Sequence, residues 1–278
     1  MITKILTLQP LQPLQPLQPL KPLQLLSTSL NLPKPLNTIF SFFTKKPLPS
    51  FPFHQLKTDV HSHIIPGIDD GSPDAETSLL LIRGMIELGY ETFTATPHVM
   101  EDMWRNNTET ISNGFAALRK AMNDEGLNNE VRMAAEYLVD GNLESLLEKK
   151  QDLLRIQKNW VLIEISFIQP PRNLRELIFE MQMQGYQPVF AHPERYNHYY
   201  KKLDELKEIK DAGCLFQSNI LSFSGYYGPA AQQCAEWMAE KGMVDLLGSD
   251  IHHERHLEAL RHLKLTPALG KVMDRVPL

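Results

Sequence analysis

The stretch Thr58-Asp-Val-His-Ser-His-Ile-Ile-Pro-Gly-Ile-Asp-Asp-Gly71 decides how this chain is read. It has the form of a short strand running straight into a loop. Side chains of a strand alternate between its faces, so Asp59, His61 and His63 project from one side and the two imidazoles can grip one metal ion. The loop carries Asp69 and Asp70 beside Pro66, Gly67 and Gly71, which holds a hard oxygen ligand close to those histidines. A lone His-x-His pair also occurs in ordinary core and surface strands, so its weight depends on the ligands supplied elsewhere.

The chain has 278 residues, 42% of them hydrophobic, enough for one α/β barrel domain. Its formal charge of -5 and the lack of a compact basic run argue against a nucleic-acid binder. The two cysteines, Cys214 and Cys234, form no C-x-x-C pair and suit a reducing compartment. No stretch reaches the ~20 apolar residues that cross a bilayer, so no membrane insertion and a cytoplasmic location are expected.

From Leu8 the triplet Leu-Gln-Pro occurs four times, followed by Leu20-Lys-Pro22, and half of the 20 prolines fall before residue 54. Proline at every third position removes backbone donors and excludes helix and central strand. Residues 1–53 are therefore expected to be a disordered tail, and 54–278 the folded unit. The apolar run Ile39 to Phe43 with Lys45 and Lys46 is expected to cover the base of that unit.

After Thr58 short apolar runs alternate with helical periodicity. Strands are expected at 58–63, 92–97, 131–136, 160–166, 187–192, 214–219 and 244–250. Helices are expected at 73–88 with Ser72 as cap, 108–125, 142–154, 173–184, 203–212, 229–241 and 254–264. Seven strands alternating with seven helices favour a closed barrel over an open doubly wound sheet, and no Gly-x-Gly-x-x-Gly follows any strand.

A parallel barrel carries its chemistry at the C-terminal ends of its strands. There the sequence places His61 and His63, then Thr96-Pro-His98, Glu136, Glu164, Ala191-His-Pro-Glu-Arg195, Gln217-Ser-Asn219 and Gly248-Ser-Asp-Ile-His252. Five of the ten histidines fall at these positions, which chance would scatter. Glu164 lies inside Val-Leu-Ile-Glu-Ile, where an unpaired buried charge costs several kcal/mol and a metal ion removes the difficulty. Asp59 has two readings, a carboxylate that orients a histidine or a structural one.

These residues resemble the ligand series of the polymerase-and-histidinol-phosphatase (PHP) superfamily. Within it, Asp69-Asp-Gly71, Thr96-Pro-His98, Leu162-Ile-Glu-Ile-Ser166, Ala191-His-Pro-Glu-Arg195 and Gly248-Ser-Asp-Ile-His252 resemble the bacterial tyrosine-protein phosphatases of capsule and exopolysaccharide loci, over about Leu56 to Leu263. The resemblance implies a distorted (β/α)7 TIM-like barrel holding three divalent ions, with Mn favoured and Fe or Zn as alternatives. It assigns His61, His63, Glu136 and Asp250 to the first ion. Glu136, Glu164 and His192 go to the second, and Asp70, His98 and His252 to the third. Arg195 would clamp the substrate phosphate, with Asp250 and His252 also counted as catalytic; Arg255, Arg105 and Trp104 are weaker substrate contacts.

The function so implied is metal-dependent hydrolysis of a phosphotyrosine on the tail of a bacterial tyrosine kinase. No cysteine nucleophile is needed, and neither Cys214 nor Cys234 sits in a Cys-x5-Arg loop. Two alternatives remain at this level: another PHP phosphoesterase acting on histidinol phosphate or a nucleic-acid phosphodiester, and a non-enzymatic metal-binding partner domain.

Overall fold

The computed structural model describes residues 47–276. Nine strands are present there: β1 (Thr58–Ser62), β2 (Thr92–Ala95), β3 (His98–Val99), β4 (Glu130–Met133), β5 (Glu136–Leu138), β6 (Trp160–Glu164), β7 (Gln187–Ala191), β8 (Leu215–Asn219) and β9 (Leu246–Gly248). Eight α-helices alternate with or follow them: α1 (Ala75–Leu88), α2 (Thr108–Asp124), α3 (Gly141–Glu148), α4 (Leu174–Met183), α5 (Leu203–Asp211), α6 (Pro229–Lys241), α7 (Glu254–Arg261) and α8 (Pro267–Met273). The strands pair in parallel as two sheets, ordered β1-β2-β4 and β3-β5-β6-β7-β8-β9.

The division into two sheets has a local cause. Thr96-Pro97 separates β2 from β3, and Ala134-Ala135 separates β4 from β5, so the expected strands 92–97 and 131–136 stop at Ala95 and Met133 and a further short strand follows each. Pro97 has no N–H to give a ladder. The pairing direction nevertheless continues, because Ala134 N donates to Ala95 O at 2.8 Å and Glu136 N donates to Pro97 O at 3.0 Å. At the other end, Ser62 forms a parallel bridge with Ile251 and His63 N donates to Ile251 O at 3.0 Å.

Alternation along the strands separates core from site. On β8, Leu215 packs with a small apolar cluster of Ala134, Leu162, Val189, Ala191 and Leu246, while Gln217 and Asn219 continue the same face as buried polar groups. On β6, Leu162 and Glu164 repeat the arrangement. The larger apolar cluster joins the strands to the helices, with Ile82, Leu118, Ile178 and Met238 fully or almost fully buried.

Three local expectations change. The cap of α1 is Asp74, whose side chain accepts from Thr77 N at 2.8 Å, and not Ser72. Helix α8 is additional, capped by Thr266 with Pro267 in its first turn. The expected tail and its apolar run at Ile39 to Phe43 lie outside the described residues as far as Lys46. Its last residues are placed: Phe51 N donates to Leu263 O at 3.0 Å, Ser50 bridges Lys264, and the buried rings of Phe51 and Phe53 meet at 4.8 Å. Proline composition does not register these two aromatic side chains, which is why the stretch reads as tail. Among the described residues no helix is long and apolar enough to cross a membrane.

Candidate metal centre

The C-terminal ends of the strands bring all nine candidate ligands into one cluster. Four groups of side chains have ligand atoms within 4.8 Å of one another: His63, Asp70, His98 and His252; His61, His63 and Glu136; His61, His192 and Asp250; and His98, Glu136 and Glu164. The division implied by resemblance differs in detail, since His63 also stands with the third set and Glu164 stands with His98 rather than His192.

The tightest part involves four atoms. His61 Nε2 and His63 Nε2 are 3.2 Å apart; each is 3.3–3.4 Å from Glu136 Oε2 and from Asp250 Oδ1. Donors about 2.0–2.2 Å from a tetrahedral ion stand about 3.3–3.6 Å from one another, so the spacing fits a divalent metal. Glu136 Oε2 and Asp250 Oδ1 are also buried with no hydrogen-bond partner. A buried carboxylate oxygen left in that state costs several kcal/mol, and a cation is the group that satisfies it. Beside this set, Asp70 Oδ1 lies 3.3 Å from His98 Nε2 and 3.5 Å from His252 Nε2.

Three of the five imidazoles are aimed by their other nitrogen. His61 Nδ1–H donates to Gln217 Oε1 at 2.8 Å, His63 Nδ1–H to Asp69 Oδ2 at 2.8 Å and His252 Nδ1–H to Asp250 O at 2.9 Å. These partners assign the tautomer that leaves Nε2 as the ligand atom. The Gln217 amide is itself oriented, because its Nε2 donates to Asn219 Oδ1 at 3.0 Å, and Asn219 Nδ2 donates to Asp250 Oδ2 at 2.6 Å. Asp69, Gln217 and Asn219 thus position candidate ligands, a role that residue type alone does not reveal. Asp59 is structural: it accepts from Ser249 N at 2.8 Å and Ser249 Oγ at 2.5 Å, and so anchors the loop that carries Asp250.

Backbone geometry is equally specific. His192 and Asp250 have φ of 35° and 52°, a left-handed conformation that costs a non-glycine residue about 1–3 kcal/mol. Gly71 and Gly248 are glycines for want of space. A Cβ on Gly71 would stand 2.2 Å from His63 O, and one on Gly248 would stand 2.8 Å from His61 Cβ and 2.7 Å from Gln217 Nε2. Gly248→Ala is therefore expected to displace His61 and lower bound metal at least tenfold in affinity while the fold is retained. Elemental analysis and circular dichroism check this; full metal content in the variant would refute it.

Electrostatics follow from the crowding. Burial disfavours charge on Glu136 and Asp250, but His61 and His98 hold the Glu136 carboxyl well below its ordinary range, and His61, His252 and Arg195 do the same for Asp250. Burial opposes protonation of His98, yet Glu164 and Glu136 raise it well above an ordinary imidazole. His63, against burial and the neighbouring His98, is carried up to about 10 with Asp69 as its main acidic partner.

The cluster opens to a cavity of about 280 Å³ lined by Asp70, His98, His192, Asp250 and His252, with Arg195, Phe167, His253 and His256 completing its wall. Arg195 Nη1 donates to Asp250 Oδ2 at 2.7 Å, and its guanidinium carbon lies 4.3 Å from the Tyr227 ring centroid and 5.2 Å from that of Phe167. The planar group thus lies against the Tyr227 ring, with the Phe167 ring farther off, and Arg195 lines the cavity. Arg105 and Trp104 are not in this wall; Arg105 is exposed, donates to Glu101 O and borders a separate groove near Gly141. Arg255 is exposed on the first turn of α7. Glu194 is turned away, accepting from Asn219 N at 2.8 Å and Ser222 Oγ at 2.7 Å.

Parallel strands alternating with helices and ending in a buried histidine and carboxylate cluster define an α/β protein with a cluster able to bind metal. The family described as "Capsular polysaccharide synthesis, CpsB/CapC" matches residues 57–271, and the chain belongs to that family. It is similar to tyrosine-protein phosphatase YwqE of Bacillus subtilis, 29% identical over 195 residues that cover 70% of this chain and 77% of the relative. It is likewise similar to tyrosine-protein phosphatase CpsB of Streptococcus pneumoniae, 27% identical over 200 residues covering 70% and 82%. Crystal structures of YwqE and CpsB, described as unique metal-dependent tyrosine phosphatases, provide a match with TM-score 0.67 at 26% identity, covering 77% of this chain and 84% of the other.

Proposed function

We propose that this protein is a metal-dependent protein-tyrosine phosphatase acting on the phosphotyrosine-bearing tail of a bacterial tyrosine kinase in the cytoplasm. The observation that carries the reading is the set of buried, donor-free carboxylate oxygens facing imidazole nitrogens at metal-ligand spacing, directly beneath a cavity walled by an arginine. The two sheets are read as one distorted (β/α)7 barrel, with β2/β3 and β4/β5 each counted as one interrupted strand and the Ser62–Ile251 bridge closing it. The nine ligands are read as holding three ions, for which the oxygen-rich donor set suits Mn, with Fe and Zn as alternatives.

Divalent ions bound here would supply charge to phosphoryl oxygens and a deprotonated nucleophile at neutral pH. The protein's own part is positioning. Arg195 offers donors to the equatorial phosphoryl oxygens while its bond to Asp250 fixes where they point. Gln217 and Asn219 keep His61 and Asp250 in register. No free carboxylic acid of the segment after β7 reaches the cavity, since Glu194 is committed elsewhere, and this favours a leaving group that departs without a proton. A phenolate, with a pKa of about 10, does so far more readily than an alkoxide.

The expected result is a kcat/KM for a phosphotyrosine peptide at least 100-fold above those for a phosphoserine peptide and for histidinol phosphate under one metal condition. Preference for histidinol phosphate, or for a nucleic-acid phosphodiester, would move the chain to another PHP activity. Absence of turnover on all of them with full metal content would leave a binding domain instead.

A further inference from the structure

The cavity wall contains one side chain that phosphate chemistry does not require. Among the described residues lining it, Phe167 alone is hydrocarbon; the others are carboxylates, imidazoles and Arg195. Phe167 lies three residues beyond Glu164, on the segment leading from β6 to α4, and is 43% exposed. Its neighbour Ile168 is 94% exposed. Phe167 thus gives the polar cavity an apolar edge that is partly open to solvent.

The ring is nevertheless held in place. Its centroid is 4.9 Å from that of Tyr196 and 5.9 Å from that of His192, to which it is nearly parallel at 20°. Tyr196 is itself anchored, since its hydroxyl accepts from Ile165 N at 3.1 Å. Phe167 is therefore braced by Tyr196 and His192, with the Arg195 guanidinium 5.2 Å from its centroid, and still lines the cavity and is 43% exposed. A phosphomonoester whose oxygens met Arg195 and the candidate ligand cluster would direct its ester oxygen toward the cavity mouth, where the group on that oxygen would meet this ring.

We infer that Phe167 is the aryl-binding wall of the site, which contacts the ring of an aromatic phosphomonoester and so selects aryl over alkyl esters. The inference rests on the proposed phosphatase reading but is separable from it by binding measurements that need no turnover. Aromatic pairs with centroids 4.5–7 Å apart add specific attraction to their area burial, and together these predict about a tenfold preference for an aryl group.

The test is calorimetric binding of phenylphosphonate, methylphosphonate and inorganic phosphate to the full-length, Mn-loaded protein and to its folded Phe167→Ala and Phe167→Tyr variants. In the wild type, phenylphosphonate is expected to bind about tenfold more tightly than methylphosphonate. Phe167→Ala should bring that ratio close to one while phosphate and methylphosphonate keep their affinities within about twofold, and Phe167→Tyr should restore it. The inference is overturned if the wild type binds neither phosphonate or shows no preference, or if Phe167→Ala keeps the ratio. Parallel loss of all three ligands overturns it too, because Phe167 would then act only by supporting Arg195 or His192. An aryl preference that disappears in Phe167→Ala, together with no hydrolysis of a phosphotyrosine peptide, sustains the aryl wall and refutes the phosphatase.

Discussion

Exhaustive chelation is expected to reduce hydrolysis of p-nitrophenyl phosphate by at least about 1000-fold, with Mn²⁺ restoring it. The expectation rests on Glu136 Oε2 and Asp250 Oδ1, buried acceptors with no donor, which face two imidazole nitrogens at 3.3–3.4 Å. Burial of both cysteines weighs against the competing thiol mechanism. Cys214 and Cys234 are buried, and burial pushes each thiol up to about 12. At pH 7 both thiols are therefore held in the protonated, non-nucleophilic form. Changing both to serine should leave more than half the activity of a folded protein. Turnover that survived chelation, or that vanished in the folded double serine variant, would refute metal dependence.

Arg195→Ala should lower kcat/KM for a phosphotyrosine peptide about 100-fold, equivalent to about 2.7 kcal/mol of transition-state stabilisation. Metal content should change little, for a reason that only the structure supplies. Asp250 Oδ2 accepts from both Arg195 Nη1 and Asn219 Nδ2, so the carboxylate keeps one donor when the arginine is lost. His192→Ala should instead remove metal, because His192 stands with His61 and Asp250 in one candidate ligand group. Equal metal loss in the two variants would reassign Arg195 from phosphate contact to support of Asp250. Arg195→Lys should recover little, since an ammonium cannot bridge Asp250 and a phosphate with the same planar donor set.

The candidate site is legible in the sequence where alternation along a strand groups histidines and carboxylates on one face. His61 and His63, and Leu162 beside Glu164, follow directly from the two-residue period. The β-to-α alternation was equally readable, whereas the breaks at Thr96-Pro97 and Ala134-Ala135 depend on how neighbouring strands meet. Gln217 and Asn219 carry a signal of the same kind, polar residues at the end of β8 on the face that Leu215 begins, but an amide has no metal-ligand stereotype, so residue type assigns them no role. The bonds of Asp69 to His63 and Arg195 to Asp250 depend on loop closure and on strands far apart in the chain. Arg105, Trp104 and Arg255 show the converse limit, because residue type suggests a phosphate or ring contact while position in a loop does not say which way the loop faces. Phe53 belongs to the folded unit because it meets Tyr90 at 5.6 Å, a pairing that proline content conceals.

The left-handed backbone at His192 and Asp250 bears on transfer of this chemistry to other proteins. A designer who copied only the nine side chains onto a regular barrel would install two of them on strand ends with ordinary dihedral angles, pointing along different vectors. The portable unit is larger: the two irregular peptide segments, the glycine at 248 that admits His61, and the Asp59–Ser249 contact that secures the second segment. A scaffold lacking those would display the right residue types and bind the ion weakly.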